Sequence, residues 1–226
     1  MIERLRGSAA GRREAFGDLA QGYWKPVYKY LRIRWQLSPE AAEDLTQAFF
    51  AEAFEHEWLD RYEREQARFR TFVRLCVDRL VWNARQAAGR VKRGGAAQIL
   101  SLDVAGAEHE LLAQVSVAPE ADELFKREFV RALLDRAIRA VRDDYLSRGR
   151  ERHWRLFERY DLAPEAPVSY AELAAEFQLT PGQVTGFLAQ ARRDFRNHTV
   201  AELRTLCGSA DEFRREAREL LGLEIE

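Results

Sequence analysis

The chain has 226 residues, a formal net charge of −1 and a hydrophobic content of 46%. That length accommodates one large or two small domains, and the apolar content is enough for real cores, which excludes global disorder. The near-zero charge excludes a uniformly basic coat over nucleic acid, although segregated charge along the chain is still open.

A composition rich in Ala, Leu, Arg and Glu, with six prolines, reads as all-α. In "REAFGDLAQGYWKPVYKYLRIRW", Phe16, Leu19, Tyr23, Val27, Tyr30 and Leu31 recur at helical spacing, with Pro26 expected to mark a boundary or kink. "SPEAAEDLTQAFFAEAFEHEW" opens with Ser38 as N-cap and Pro39 at the first helical position, and acids in its first turn suit the helix dipole. Leu45, Phe49 and Ala53 form one stripe of that helix; Asp44, Gln47 and Ala51 form another, with Phe50 near their boundary. Such a helix suits either a partner helix or two-sided packing within its domain.

After the polar stretch "LDRYEREQA", a long helix is expected from about residue 68 to 90. Residues 68–93 hold eight basic residues against the single acid Asp78, interleaved with Phe69, Phe72 and Trp82 and the polar reader Asn83. Basic residues attract phosphates through counterion release, and aromatic faces stack on unpaired bases. Phe72, Val73 and Leu75 are expected in the core, and the basic residues also fit an ordinary solvated face. Residues 101–123 reverse the charge, with six acids and no Lys or Arg. With the break at Gly94–Ala97, this segment reads as an acidic tether between two helical domains.

The second block begins near Pro119 and contains "SYAELAAEFQLTPGQVTGFLAQARRDFR". Ser169 and Glu172 form a capping box, and Thr180, Pro181 and Gln183 repeat the punctuation at a second helix start. Leu173, Ala174 and Phe177 face Val184, Phe187, Leu188 and Ala191, giving a helix-turn-helix whose second helix can reach a major groove. Plain helical packing is the competing reading. The chain closes on "GSADEFRREARELLG", with another Ser209–Glu212 box. The expected organisation is two small helical domains at 1–96 and 123–208, an acidic linker at 97–122 and a C-terminal helical extension at 209–226. Phe213, Leu220 and Leu221 of the extension are expected to pack on the second domain, with a regulatory tail as the alternative.

Two cysteines far apart, Cys76 and Cys207, suggest no disulfide framework and fit a reducing cytoplasm. The four histidines, His56, His109, His153 and His198, lack ligand spacing, so neither metal nor cofactor is expected. No segment reaches about 18 uninterrupted apolar residues, so a soluble, membrane-free protein is expected. No phosphate loop, nucleophile elbow or paired carboxylates point to an enzyme.

The order Asp44-Leu45-Thr46-Gln47-x-Phe49, a polar loop, Phe69-Arg70-Thr71-Phe72 and a basic helix resembles region 2 of bacterial RNA polymerase sigma factors. It is similar to the small extracytoplasmic-function type, which carries region 2, a linker and region 4; "SYAELAAEFQLTPGQV" resembles the region 4 helix-turn-helix. The resemblance spans most of residues 12–200. It implies that Asp44, Leu45, Gln47 and Phe50 meet the clamp helices of the polymerase largest subunit, with region 4 near the flap. It implies that Arg61, Tyr62 and Arg64 capture a flipped base of the −10 element, and that Arg68, Arg70, Arg74, Asn83 and Arg85 read and melt it. Pro181, Gln183, Thr185, Gln190, Arg192 and Arg193 would face the −35 duplex. An anti-sigma factor or other regulator is a further implied partner.

Two departures stand out. Gln178 holds a turn position usually given to Gly, and Thr185-Gly186-Phe187 stands where such factors often carry Lys and Arg. Gly186 also weakens its helix by up to about 1 kcal/mol relative to Ala. The alternatives to a sigma factor are an autonomous helix-turn-helix regulator and a sigma-like scaffold whose second domain binds protein.

Overall fold

The structure, a computed structural model, describes residues 9–55, 62, 68–88, 101–112, 120–163 and 168–225. Among these residues all regular structure is helical and no strand occurs. The chain divides into two compact units, one of residues 1–132 with 203–226 and one of residues 133–202.

In the first unit, α1 (Ala9–Arg34) packs on α2 (Pro39–Glu55). α1 runs through Pro26 rather than ending there. An internal proline costs a helix about 3 kcal/mol. Here Tyr23, Val27, Tyr28, Tyr30 and Leu31 are buried on both sides of it, and that burial outweighs the missing hydrogen bond. α2 starts as its residues predict, with the Ser38 hydroxyl accepting from the Ala41 amide at 3.2 Å. It closes over α1 through an edge-to-face pair of Phe16 and Phe50, with ring centroids 6.2 Å apart.

α3 (Phe69–Ala88) turns Phe69, Val73, Val77 and Val81 inward. α4 (Val104–Leu112) lies inside the segment expected to be a tether, and it packs on α1 and α2. Asp103 starts it by accepting from the Gly106 amide at 2.9 Å. Glu108 then accepts from Tyr28 at 2.7 Å and from Arg32 at 2.6 Å, while Glu110 accepts from Lys25 at 2.6 Å and also pairs with the buried Lys29. The acids that marked a linker by composition therefore hold this helix onto a basic stripe of α1. α5 (Ala121–Ser147) begins in this unit, where Leu124, Phe125 and Phe129 complete the core.

The rest of α5 belongs to the second unit. Gly149, at φ 66°, stops it in the left-handed conformation that glycine tolerates, and the Arg150 amide donates back to the Tyr145 carbonyl at 2.8 Å. α6 (Glu151–Phe157) follows and passes into a π-helical turn at Glu158–Leu162. The helix-turn-helix consists of α7 (Tyr170–Phe177) and α8 (Pro181–Leu206), around Leu156, Leu173, Ala174, Val184 and Leu188. Both helix starts are built as their residues predict. Ser169 and Glu172 bond reciprocally at 2.7 and 3.2 Å, and Thr180 and Gln183 do so at 2.9 and 3.2 Å. Gln178 does adopt the left-handed conformation, at φ 53° and ψ 51°.

The last residues of α8 return to the first unit, together with α9 (Ala210–Leu221). The extension expected to pack on the second domain thus packs with the first. The compact units also fall at different places from the boundaries that composition suggested, because α5 and α8 each run from one unit into the other.

Candidate nucleic-acid interface

The basic helix α3 has two different surfaces. Its outer surface carries Leu75, Arg79, Trp82, Asn83, Arg85 and Gln86, all exposed; Leu75 is 50% and Trp82 61% accessible. Leu75, expected in the core, stands at the surface because Val73 and Val77 take the inward positions on either side of it. Arg85 stacks over the Trp35 ring at 4.7 Å and donates to the Trp35 carbonyl at 3.3 Å.

The single acid of the helix, Asp78, anchors it. Its carboxylate accepts from the Tyr30 hydroxyl at 2.9 Å, the Trp35 indole at 2.9 Å and Arg74 at 2.7 Å. Burial and the neighbouring Asp78 push the Tyr30 hydroxyl up to about 12. Arg74 also donates to Asp122 at 2.5 Å, so both of its ion-pair partners lie within the chain.

The N-terminus of α3 is covered by α9. The Glu212 carboxylate is buried and accepts from the Phe69 amide at 2.6 Å, the Gly208 amide at 2.7 Å and the Tyr62 hydroxyl at 3.4 Å. A carboxylate here also meets the positive end of the α3 dipole. Arg70, itself buried, lies 3.3 Å from Glu216 and 3.4 Å from Glu219. Arg68 lies 3.3 Å from Glu216 and pairs with Glu219, which Lys126 also approaches at 3.3 Å. Burial raises the Glu216 pKa above the usual carboxylate value despite Arg70 and Arg68. Glu219 goes the other way: burial opposes the shift, but Arg68, Lys126 and Arg70 together hold it below.

The candidates for −10 contact therefore separate. Asn83 and Arg85 are exposed, and Arg79 and Trp82 join them; Arg68, Arg70 and Arg74 are engaged by carboxylates of the same chain. Tyr62, expected in a base-capturing loop, is instead buried between Phe69 and Phe72, at centroid distances of 5.2 and 5.3 Å. Arg61 and Arg64 lie outside the described residues. Reading the residues alone missed the face of α9 that meets α3. The signal was present: Glu212, Glu216 and Glu219 recur at helical spacing, while Arg214, Arg215 and Arg218 fall between them.

On α2, Asp44 is exposed and Leu45 half-buried, whereas Gln47 and Phe50 are buried. Phe50 is a core residue rather than a partner-facing one, packed edge-to-face on Phe49 at 5.0 Å as well as on Phe16. The α2 helix thus fits two-sided packing at its Phe50 edge and leaves its Asp44 edge to solvent.

On α8, Pro181, Gln183 and Thr185 are exposed, yet their polar groups work locally. The Gln183 amide caps Thr180, and the Thr185 hydroxyl donates to the Pro181 carbonyl at 3.0 Å. Gln190 donates to Asp194 at 2.8 Å and accepts from Arg193 at 2.7 Å. Arg192 holds Asp161 of the π-helical turn at 2.8 Å and lies over the Tyr160 ring at 5.6 Å. That hydrogen bond raises the Arg192 pKa against the effect of burial. Phe187 is half-buried against His153, with centroids 4.0 Å apart. The exposed start of α8 carries no cation until Arg192, and a side chain at Gly186 would point into open space.

Among the described residues, no cluster of His, Cys, Asp and Glu could hold a metal ion. No helix among them is long and apolar enough to cross a membrane. Burial pushes the Cys76 thiol up to about 12 and the Cys207 thiol further, so neither is an activated nucleophile.

Compared with known protein families, curated proteins and solved structures, the chain matches none. Its functional reading rests on its own residues.

Proposed function

We propose that this protein is a sigma factor of the extracytoplasmic-function type, which binds core RNA polymerase and directs promoter recognition and opening. The observation that carries the reading is the outer surface of α3, where Arg79, Trp82, Asn83 and Arg85 stand exposed on a helix anchored by Asp78. A cationic, aromatic surface on a rigid helix suits the unpaired strand of an opened −10 element. It follows, in chain order, the α2 segment whose exposed Asp44 is the proposed contact for the clamp helices. The protein needs no catalytic residue of its own for this role, because the polymerase does the chemistry, and its place of work is the cytoplasm.

The test is to mix the purified protein with core polymerase, measure co-elution, and footprint the complex on genomic promoter fragments. Co-elution and protection near a −10 element are expected. Absence of a complex with core overturns the reading.

One observation favours a second reading for the helix-turn-helix, as a protein-binding module. Gln183, Thr185, Gln190 and Arg192 are all bonded within the chain, and the first turns of α8 carry no cation. Under that reading the complex with core forms and protects the −10 region, but leaves the −35 duplex unprotected.

A further inference from the structure

We propose that α9 is a displaceable acidic plug: Glu216 and Glu219 hold Arg68 and Arg70 against the chain and compete with nucleic-acid phosphate for them. This rests on the reading of α3 as the strand-binding helix.

The inner face of α9 mixes acids with apolar residues. An ordinary packing helix turns apolar residues inward and charge outward. α9 buries Glu212 and Glu216 beside Phe213 and Ala217, and exposes Arg214, Arg215 and Arg218. Buried ion pairs add little net stability compared with apolar packing of the same volume, so Glu216, paired with Arg68 and Arg70, is poorly explained as glue, whereas Glu212 caps backbone amides. What the acids do supply is choice of partner. Each inward carboxylate meets a donor at the start of α3: Glu212 the Phe69 amide, Glu216 the Arg70 guanidinium, Glu219 both arginines.

Those donors are themselves suited to phosphate. Two guanidinium groups beside the amide end of a helix form an arrangement that binds phosphate oxygens as readily as carboxylates. They lie at the start of α3, whose outer surface is the one proposed to hold the strand. As long as α9 is docked, these arginines are neutralised, and among the described residues of α3 the strand is left with the exposed Arg79 and Arg85.

The contact between α9 and α3 is graded. Glu212 is held by three donors and fixes the start of α9, whereas Glu219 is partly exposed and shared among Arg68, Arg70 and Lys126. The chain-terminal half of α9 can therefore lift while Glu212 stays in place. If only about one molecule in ten has the arginines released, the apparent affinity for a strand is about tenfold weaker than that of the released form.

The experiment uses the full-length protein and a fluorescently labelled single-stranded DNA oligonucleotide, titrated by anisotropy. Glu216→Gln/Glu219→Gln is expected to bind about five- to tenfold tighter than the unaltered chain. Adding Arg68→Ala/Arg70→Ala should remove the gain. Asp211→Asn/Glu224→Gln, which removes the same charge from exposed positions, should change affinity less than about twofold. Glu219→Gln alone leaves both buried carboxylates intact; it should give a smaller gain and decides the matter if the double variant does not fold. Unchanged affinity in folded variants, a gain that survives loss of the two arginines, or an equal gain in the Asp211/Glu224 variant overturns the plug alone. No binding by any variant, with or without core polymerase, overturns the plug and the strand-binding reading together.

Discussion

The backbone amide of Phe69 donates at 2.6 Å to the carboxylate of Glu212, a residue 143 positions later in the chain. The start of one helix is thus capped by a side chain of another. The same carboxylate takes the Gly208 amide at 2.7 Å, which ties the start of α9 to the start of α3. Both amides belong to buried residues, and a buried donor left without a partner costs about 1–3 kcal/mol. Glu212→Ala is therefore expected to destabilise the first unit by about 2–4 kcal/mol. Glu212→Gln, which keeps an acceptor oxygen, should lose about half as much. Chemical denaturation followed by circular dichroism measures both, and an unshifted Glu212→Ala midpoint would refute this role.

That cap also marks how far local reading reaches. Three helix starts show a Ser or Thr three residues before Glu or Gln. At Ser169 and Thr180 the acidic or amide side chain closes back on its own cap, as the pattern predicts. At Ser209 only half of the pattern forms: the Glu212 amide reaches the Ser209 hydroxyl at 3.1 Å, but the carboxylate leaves for Gly208 and Phe69. The difference lies in tertiary neighbours, which spacing does not encode. The same limit applies to Phe50, Tyr62 and the arginines at 68 and 70, whose surroundings come from distant segments. The all-helical class and the helix-turn-helix were legible because each rests on contacts within a few turns. The docking of α4 was hidden by composition, since acids suited to a solvated tether are equally suited to a basic stripe.

That docking carries a pH dependence with a definite sign. Hydrogen bonding from Arg32, aided by Tyr28, lowers the Glu108 pKa against burial; in Glu110 burial opposes the shift, but Lys25 and Lys29 prevail and lower it. Groups whose pKa is lowered on folding stabilise the folded state above the ordinary carboxylate value of 4.5 and lose that contribution as pH falls through the lowered values. On α9 the signs are mixed: the raised pKa of Glu216 makes proton uptake favour the folded state as pH falls, whereas the lowered pKa of Glu219 works the other way, so the two partly offset each other. α4 is thus predicted to come away in acid before α9 does. Amide hydrogen exchange should show protection of 104–112 at neutral pH, lost below about pH 4.5 while 210–221 keeps more of its own. Equal loss of both segments would contradict the assignment.

Trp82 separates a binding role from a folding one. At 61% exposure its ring contributes little to the core, while the adjacent Val81 is almost fully buried. Base–aromatic stacking is worth about 1–3 kcal/mol by alanine substitution, so Trp82→Ala should weaken strand binding about 5- to 150-fold. Its melting temperature should stay within about 2 °C of the parent. Val81→Ala should do the reverse, lowering stability by about 1–3 kcal/mol with a smaller effect on binding per folded molecule. Paired titrations on single-stranded DNA and thermal melts test this. A Trp82→Ala protein that binds unchanged removes the stacking role.

Gly186 distinguishes the two readings of the helix-turn-helix. A Cβ built there meets nothing within 4 Å, and the residue sits on the exposed start of α8, a turn and a half before the first cation at Arg192. Gly186→Arg adds no clash and relieves the helix of glycine's unfavourable propensity, a gain of about 0.5–1 kcal/mol in stability. If this face approaches duplex DNA, the added guanidinium reaches phosphate or a base edge and steepens the salt dependence of duplex binding by about one counterion. If the face instead receives a protein partner through its small, uncharged surface, the long side chain blocks that approach. Stability should rise in both cases, which makes the thermal melt an internal control. A tighter, more salt-sensitive complex with promoter duplex supports the −35 role. A more stable protein with unaltered duplex binding excludes close approach of this face to DNA and leaves it to a protein partner.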